Sequence, residues 1–224
     1  MLYPASPRPS PTLNREADLR AQGYQFIAGV DEAGRGPLAG PVTAGAVIVP
    51  PGFTSPHLHL LNDSKLLDEP TRVTLYAELT HQAGVMWGVG SAEAEEIDRI
   101  NIRQAAWQAM QRAVADLSAR FRAPDFVLVD GTPFGAGPWP YEAIVKGDSK
   151  SLSIAAASVI AKETRDRLMR ALDAEYPGYG LAQHKGYPTP QHLKALQERG
   201  ACALHRRSFG PVRAVIEDTP RTSD

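Results

Sequence analysis

The sequence of 224 residues predicts an α/β fold, in which a mixed β-sheet is flanked by helices on its faces. Runs rich in Val, Ile and aromatic residues alternate with segments of helical periodicity. The first two runs are joined by a Gly/Pro-rich loop with no helix between them, which favours an antiparallel pair. A later run, Phe126–Val129, is continuously apolar, which indicates a central strand buried on both faces.

Local signals place each element along the chain. Strands are predicted at 24–30, 42–49, 85–90, 126–129 and 141–145. Helices are predicted at 14–22, 70–83, 91–120, from Ser149 or Ser151 to about 175, and at 190–199. Asn101 is a candidate cap within the third helical region, and Gly200 ends the last one.

The chain is expected to divide into four parts. A Pro/Ser-rich segment at 1–13 predicts a disordered tail, 14–176 an α/β domain, 177–213 a helical segment and 214–224 a short acidic tail. No apolar run approaches about 18 residues, so no membrane span is predicted. Cys202 is the single cysteine, which rules out an internal disulfide and fits a cytoplasmic location.

The formal net charge of −1 conceals an asymmetry along the sequence. Residues 1–145 carry a net charge of −5, residues 146–213 carry +6, and the last eleven carry −2. Such a division suits a protein that holds metal with one part and a polyanion with the other. Scattered surface charge is the alternative.

Acidic residues follow three of the predicted strands. Asp31 and Glu32 follow the first strand, Asp130 follows the fourth and Asp148 follows the fifth. If these strands are neighbours, their acids lie within reach of shared cations, and oxygen ligands favour two Mg²⁺ or Mn²⁺ ions. Adjacent residues on a strand point to opposite faces, so Asp31 and Glu32 share a site only if the chain bends or one uses its carbonyl. Capping of the next helix is the alternative for Asp148.

A Gly34-Arg35-Gly36 segment follows the first pair of acids. Glycines let a ligand approach the backbone closely, and the arginine guanidinium suits phosphate. A tight turn that merely needs glycine is the alternative. Ser149, Lys150 and the start of the long helix are candidates for a second phosphate contact through helix-terminal amides.

Several motifs, taken together and in order from about 24 to 213, resemble bacterial ribonuclease HII. They lie at 31–41, 62–65, 129–131, 146–150, 153–162, 164–169, 179–187 and 205–212. The resemblance implies a ribonuclease H-like fold, with the segment 177–213 flanking the substrate groove. It implies hydrolysis of RNA in RNA–DNA hybrids and incision at single ribonucleotides in duplex DNA. It also implies a catalytic and metal-binding tetrad of Asp31, Glu32, Asp130 and Asp148.

The resemblance also implies how substrate is bound. Tyr187 would stack on the deoxyribose beyond the ribonucleotide, so that it and the Gly34–Gly36 segment together recognise an RNA–DNA junction. Basic contacts to the substrate would come from Lys65, His184, Lys185, Arg206 and Arg207, although a structural role is an alternative for His184. The chain departs from the family pattern at Leu66, Asp68 and Thr132.

Three alternative functions fit parts of this pattern. Another nuclease of the same fold, such as a transposase-like or Holliday-junction enzyme, would use similar acids. Ribonuclease HIII would be expected to carry an additional N-terminal domain. A non-catalytic hybrid-binding protein would gain affinity by losing the acids. The expected partners are RNA–DNA hybrids and ribonucleotide-containing duplex DNA, with no membrane, and the expected state is a monomer.

Overall fold

The computed structural model describes residues 10–61, 67–133 and 137–218. Lys65 and Leu66 lie outside these ranges, as do most of the predicted N-terminal tail and the last six residues. Asp68 lies inside them. Its side chain accepts a hydrogen bond of 2.9 Å from the Thr71 N–H and so caps the following helix.

Five strands form one mixed sheet, as the sequence predicts. They are β1 Ile27–Ala33, β2 Val42–Ile48, β3 Met86–Ala92, β4 Phe126–Asp130 and β5 Tyr141–Ile144. Their order across the sheet is β3-β2-β1-β4-β5. β1 and β2 pair antiparallel, as do β2 and β3, whereas β1, β4 and β5 run parallel. The carboxyl ends of β1, β4 and β5 therefore meet at one edge of the sheet.

Eight α-helices are found among the described residues. They are α1 Asn14–Ala21, α2 Glu69–His81, α3 Ala94–Ile100, α4 Ile102–Arg120, α5 Leu152–Glu175, α6 Leu181–His184, α7 Pro190–Arg199 and α8 Gly210–Asp218. Asn101 separates α3 from α4 and caps α4, as predicted. Ser151, not Ser149, caps α5. The helix α6 was not predicted, and α8 continues into the segment that the sequence predicts to be a tail.

The long helices α4 and α5 pack on opposite faces of the sheet. A cluster of apolar side chains joins α4 to β1, β2, β3 and β4. On the other face, α5 approaches β1 so closely that a Cβ atom on Gly29 would lie 2.1 Å from the Ser153 carbonyl carbon. Glycine at this position brings the first half of α5 against the strand that ends in Asp31 and Glu32. None of the helices in the described ranges is long and apolar enough to cross a membrane.

Candidate active site

Three carboxylates converge at the common edge of β1, β4 and β5. Asp31 lies in β1, Asp130 ends β4, and Asp148 lies in a 3₁₀ turn, Gly147–Ser149, that follows β5. One oxygen from each carboxylate lies within 4.8 Å of the other two. We call Asp31, Asp130 and Asp148 the acidic cluster. Its first and last members are more than 100 positions apart in the sequence, and they form one site because three parallel strands end side by side.

Hydrogen bonds orient the members of the acidic cluster. The Glu32 N–H donates to Asp31 Oδ1 at 2.7 Å, and the Ser158 hydroxyl of α5 also hydrogen-bonds Asp31. The Gly147 N–H donates to Asp130 Oδ1 at 2.6 Å, which ties the end of β4 to the turn that carries Asp148. The carboxylates are therefore held toward one another by the fold.

The electrostatics of the acidic cluster favour a bound cation. Burial raises the pKa of Asp31 well above its ordinary value, and the neighbouring carboxylates of Glu32 and Asp130 raise it further. A divalent cation would reverse both effects, since it replaces lost solvation and offsets the repulsion. The donor set contains oxygen alone, which fits Mg²⁺ or Mn²⁺. The residues present therefore fit the predicted metal.

Glu32 lies beside the acidic cluster rather than within it. β1 pairs with β2 without interruption, from Ala28 opposite Ile48 to Ala33 opposite Thr43, so the strand does not bend between Asp31 and Glu32. Of the two alternatives raised by the sequence, this uninterrupted pairing excludes the bend. The Glu32 carboxylate lies 3.2 Å from the Arg35 guanidinium.

A pocket adjoins the acidic cluster and contains the Gly34–Gly36 segment and Tyr187, the residues expected to recognise an RNA–DNA junction. Its lining residues are Glu32, Ala33, Gly34, Arg35, Gly36, Asp130, Lys162 and Tyr187. Tyr187 is 38% exposed although it is large and aromatic, so its ring is available to stack against a ligand. The pocket therefore places carboxylates, an arginine and an aromatic ring around one concave surface.

Ser158 and Lys162 also belong to the site, although neither was predicted to. Lys162 lines the pocket, forms an ion pair of 2.8 Å with Asp166 and lies 6.0 Å from the Tyr187 ring centroid. Ser158 and Lys162 are four residues apart on α5 and so share one helix face. That spacing, combined with the position of α5 immediately after Asp148, is the feature of the sequence that could have assigned both residues to the site.

The Gly34–Gly36 segment is a tight turn held in place by two buried arginines. Gly34 has φ of +96°, and a Cβ atom there would lie 2.1 Å from Arg165 Nε. Arg206 donates to the carbonyl oxygens of Gly34 at 2.6 Å and Arg35 at 3.0 Å. Glycine at position 34 is therefore required by both conformation and space.

The expected phosphate contact by Arg206 is wrong. Its side chain is fully buried, and its donors are used by carbonyl oxygens of the turn and of Gly40. Burial and the nearby charge of Arg165 lower the Arg206 pKa to about 9. A fully buried guanidinium that bonds main-chain carbonyls does not reach a phosphate on the surface, so Arg206 shapes the turn instead.

His184 also has a structural role, which was the alternative to a substrate contact. It is buried, its Nδ1 accepts from the Gly186 N–H at 3.2 Å, and its Nε2 lies 2.8 Å from the Tyr179 carbonyl oxygen. Lys185 is half-buried in the left-handed region, with φ of +52°, and its ammonium donates to the Ala182 carbonyl. Arg207 is exposed, and its main-chain N–H donates to Asp98 at 2.8 Å.

The predicted phosphate contact through the helix-terminal amides of the long helix is also wrong. Glu16 of α1 is buried there, and its carboxylate accepts from the Ser153 N–H at 3.1 Å and from the Ser151 hydroxyl at 2.7 Å. A carboxylate already occupies the anion-binding end of α5. Ser149 and Lys150 precede the helix, and their side chains donate to the carbonyls of Lys146 and Val145, respectively, each at 2.8 Å.

The sheet order and the acidic cluster define a nuclease of the ribonuclease H-like fold. Residues 28–212 match the family model described as Ribonuclease HII. The chain is 54% identical over 205 residues to a ribonuclease HII of Myxococcus xanthus strain DK1622, covering 91% of this chain and 68% of the relative. It is 46% identical over 207 residues to one from Dehalococcoides mccartyi, covering 92% and 96%. The chain belongs to the ribonuclease HII family.

A solved structure shows the same fold. The crystal structure of ribonuclease H2 from Pyrococcus horikoshii OT3 superposes with a TM-score of 0.71 at 27% identity, covering 86% of this chain and 97% of that one. The predicted fold class and the predicted enzyme type, a type HII ribonuclease H, are thereby confirmed. Membership of this family decides against ribonuclease HIII, the other nucleases of the fold and a non-catalytic binding protein.

Proposed function

We propose that this enzyme is a metal-dependent endonuclease that cleaves RNA in RNA–DNA hybrids and incises duplex DNA on the 5′ side of a single ribonucleotide. The products are a 3′-hydroxyl and a 5′-phosphate. The observation that carries this proposal is the position of the acidic cluster directly beside the pocket that contains the Gly34–Gly36 turn and Tyr187. The pocket identifies the sugar while the acids act on the adjoining phosphate.

The four acids are proposed to hold two divalent ions, Mg²⁺ or Mn²⁺. Asp31, Asp130 and Asp148 supply the converging oxygens, and Glu32 borders the same pocket as Asp130. When bound, such ions supply activation of the attacking water and stabilisation of the leaving 3′ oxygen. The protein contributes rigid placement, through the hydrogen bonds from Glu32 and Gly147 that fix Asp31 and Asp130.

Recognition of the sugar is assigned to the turn and to Tyr187. The 2′-hydroxyl is the group that distinguishes a ribonucleotide within DNA, and it both donates and accepts hydrogen bonds. Gly36 is exposed in the pocket, so its main chain is accessible to that hydroxyl. Tyr187 offers its ring to the next, deoxyribose sugar, and the half-exposed Arg35 side chain is suited to a flanking phosphate.

Further substrate contacts are proposed at the exposed cations. Lys150 and Arg207 are exposed and Lys185 is half-exposed, so each can approach a phosphate after releasing any main-chain carbonyl that its side chain now contacts. Lys65, in the 62–65 motif that resembles the family, is proposed for the same purpose. A monomeric state and a cytoplasmic location stay as predictions.

The decisive substrate is a labelled DNA duplex that contains one ribonucleotide. We expect the purified protein to nick it on the 5′ side of that ribonucleotide with Mg²⁺ or Mn²⁺ and to leave it intact with EDTA. An all-DNA duplex of the same sequence is the control and should not be cut. Activity restricted to long RNA stretches would contradict recognition of the RNA–DNA junction. Activity undiminished by EDTA would contradict the dependence on metal.

A further inference from the structure

His205 and Arg206 are consecutive buried residues that connect to different elements of the pocket. The side chain of Arg206 bonds the Gly34 and Arg35 carbonyls of the turn. The side chain of His205 leads in the other direction, through His192, to the main chain of Tyr187. Two neighbouring residues therefore attach to the two elements that border the substrate sugar.

In the chain of hydrogen bonds from His205 to Tyr187, the donor and the acceptor of each bond can be assigned. The Cys202 N–H donates to His205 Nδ1 at 3.1 Å, so the ring proton of neutral His205 lies on Nε2. His205 Nε2 lies 3.1 Å from Nε2 of His192, which must then accept. The proton of His192 is accordingly on Nδ1, 3.0 Å from the Tyr187 carbonyl oxygen. Each ring thus has one donor and one acceptor nitrogen, and the acceptor Nδ1 of His205 also lies 3.1 Å from the Cys202 Sγ.

The histidine pair is suited to hold this arrangement at neutral pH. Both rings are buried, at 0% exposure for His192 and 2% for His205. Burial lowers the pKa of both rings, and that of His205 to about 4, so both remain neutral. His184 stacks on His192 at 4.5 Å between ring centroids, with 17° between the planes, which limits rotation of the His192 ring.

The two attached elements lie in close proximity. A Cβ atom placed on Gly36 would lie 3.6 Å from Cε1 of Tyr187, which is ordinary van der Waals contact. The main chain adds a further link, since the Arg206 N–H donates to the Leu38 carbonyl and the Leu38 N–H donates to the Gly186 carbonyl, each at 2.8 Å. A small shift of either element would change the gap into which a ribose–deoxyribose step fits.

We propose that His205 and Arg206 act as positioning residues that set the placement of Tyr187 relative to the Gly34–Gly36 turn, and with it the preference for an RNA–DNA junction over continuous RNA. This inference rests on the proposed function, in which the turn and Tyr187 read adjacent sugars. Neither side chain touches the substrate. Each acts through main-chain groups of the residues that do.

Two substitutions of His205 separate this role from general support of the fold. In His205→Gln the amide nitrogen reaches the former Nε2 position and still donates to His192, whereas the side chain in His205→Asn is too short. We expect His205→Asn to lower the ratio of kcat/KM for a single-ribonucleotide duplex to kcat/KM for an RNA–DNA hybrid of equal length by about tenfold or more, because small displacements at a site are costly. His205→Gln should retain most of the ratio.

Arg206→Lys tests the second connection, since a single ammonium cannot bond the Gly34 and Arg35 carbonyls as the guanidinium does. It should lower the same ratio. Should His205→Asn fail to fold, His192→Gln makes the equivalent test, because it keeps an acceptor for His205 but loses the donor to the Tyr187 carbonyl.

An unchanged ratio in folded His205→Asn, or equal losses on both substrates, would overturn the inference. Failure of the wild-type enzyme to nick the single-ribonucleotide duplex would instead contradict the proposed function.

Discussion

Replacement of Asp130 by asparagine is expected to abolish cleavage while the fold and hybrid binding are retained. Asp130 Oδ1 accepts the Gly147 N–H at 2.6 Å, and the amide oxygen of asparagine can accept the same bond. The substitution removes one negative charge from the acidic cluster, and the loss of charge weakens the hold on a divalent cation. We expect kcat to fall by about 10³-fold or more in Asp130→Asn, measured on the single-ribonucleotide duplex.

Binding separates loss of chemistry from loss of structure in this variant. Affinity for an uncut RNA–DNA hybrid, measured by fluorescence anisotropy without divalent metal, should equal or exceed that of the wild type, because a charge that repels phosphate is removed. Glu198→Gln is a matched control, since Glu198 is an exposed carboxylate on α7, and it should leave kcat unchanged. Turnover at the wild-type rate by Asp130→Asn would exclude Asp130 from the tetrad.

Replacement of Gly34 by alanine is expected to damage both stability and activity. Gly34 has φ of +96°, and its new Cβ atom would lie 2.1 Å from Arg165 Nε. Arg165 cannot easily move, because its guanidinium donates to the carbonyls of Ala39, Pro41 and Lys185 at 2.8 to 3.1 Å. We expect Gly34→Ala to lower the free energy of unfolding by about 3 kcal/mol, from strain and overpacking together. Displacement of the turn should reduce kcat/KM by about 100-fold.

Gly36 provides the matched control two residues away. A Cβ atom there would meet Tyr187 Cε1 at 3.6 Å, and its backbone is not in the left-handed region. Gly36→Ala should therefore unfold at the same urea concentration as the wild type, while any loss of activity reports the altered pocket surface. Equal stability of Gly34→Ala and Gly36→Ala in urea would contradict the assigned strain at Gly34.

The sheet and the acidic cluster could be predicted because their signals are local. Asp31 and Asp130 directly follow apolar runs, and Asp148 comes three residues after another run ends. Parallel neighbours place the carboxyl ends of these strands at one edge. The break at Asn101 was also predictable, since its side chain accepts from the N–H groups of residues 103 and 104. The uninterrupted pairing of β1 through Ala33 was not predictable, because the end of a strand depends on its partner strand as well as on its own apolar residues.

The errors concern polar groups whose partners are distant in sequence. The sequence predicts that Arg206 is a surface cation in a basic segment, but its partners, the carbonyls of the turn and of Gly40, lie 166 to 172 residues away. Glu16 occupies the start of α5 from 137 residues away, so the sequence indicated an open anion site where a carboxylate already lies. Periodicity identifies buried apolar positions, but it carries no information on which charged residues are buried with polar partners.

We infer that Asp31, Asp130 and Asp148 jointly hold divalent metal. Calorimetric titration of Mn²⁺ into the full chain tests it most directly, with Asp31→Asn, Asp130→Asn and Asp148→Asn compared with the wild type and with Glu198→Gln. We expect Mn²⁺ binding by the wild type and by Glu198→Gln, and its loss or severe weakening in each of the other three variants. Undiminished Mn²⁺ binding by those three folded variants would contradict it.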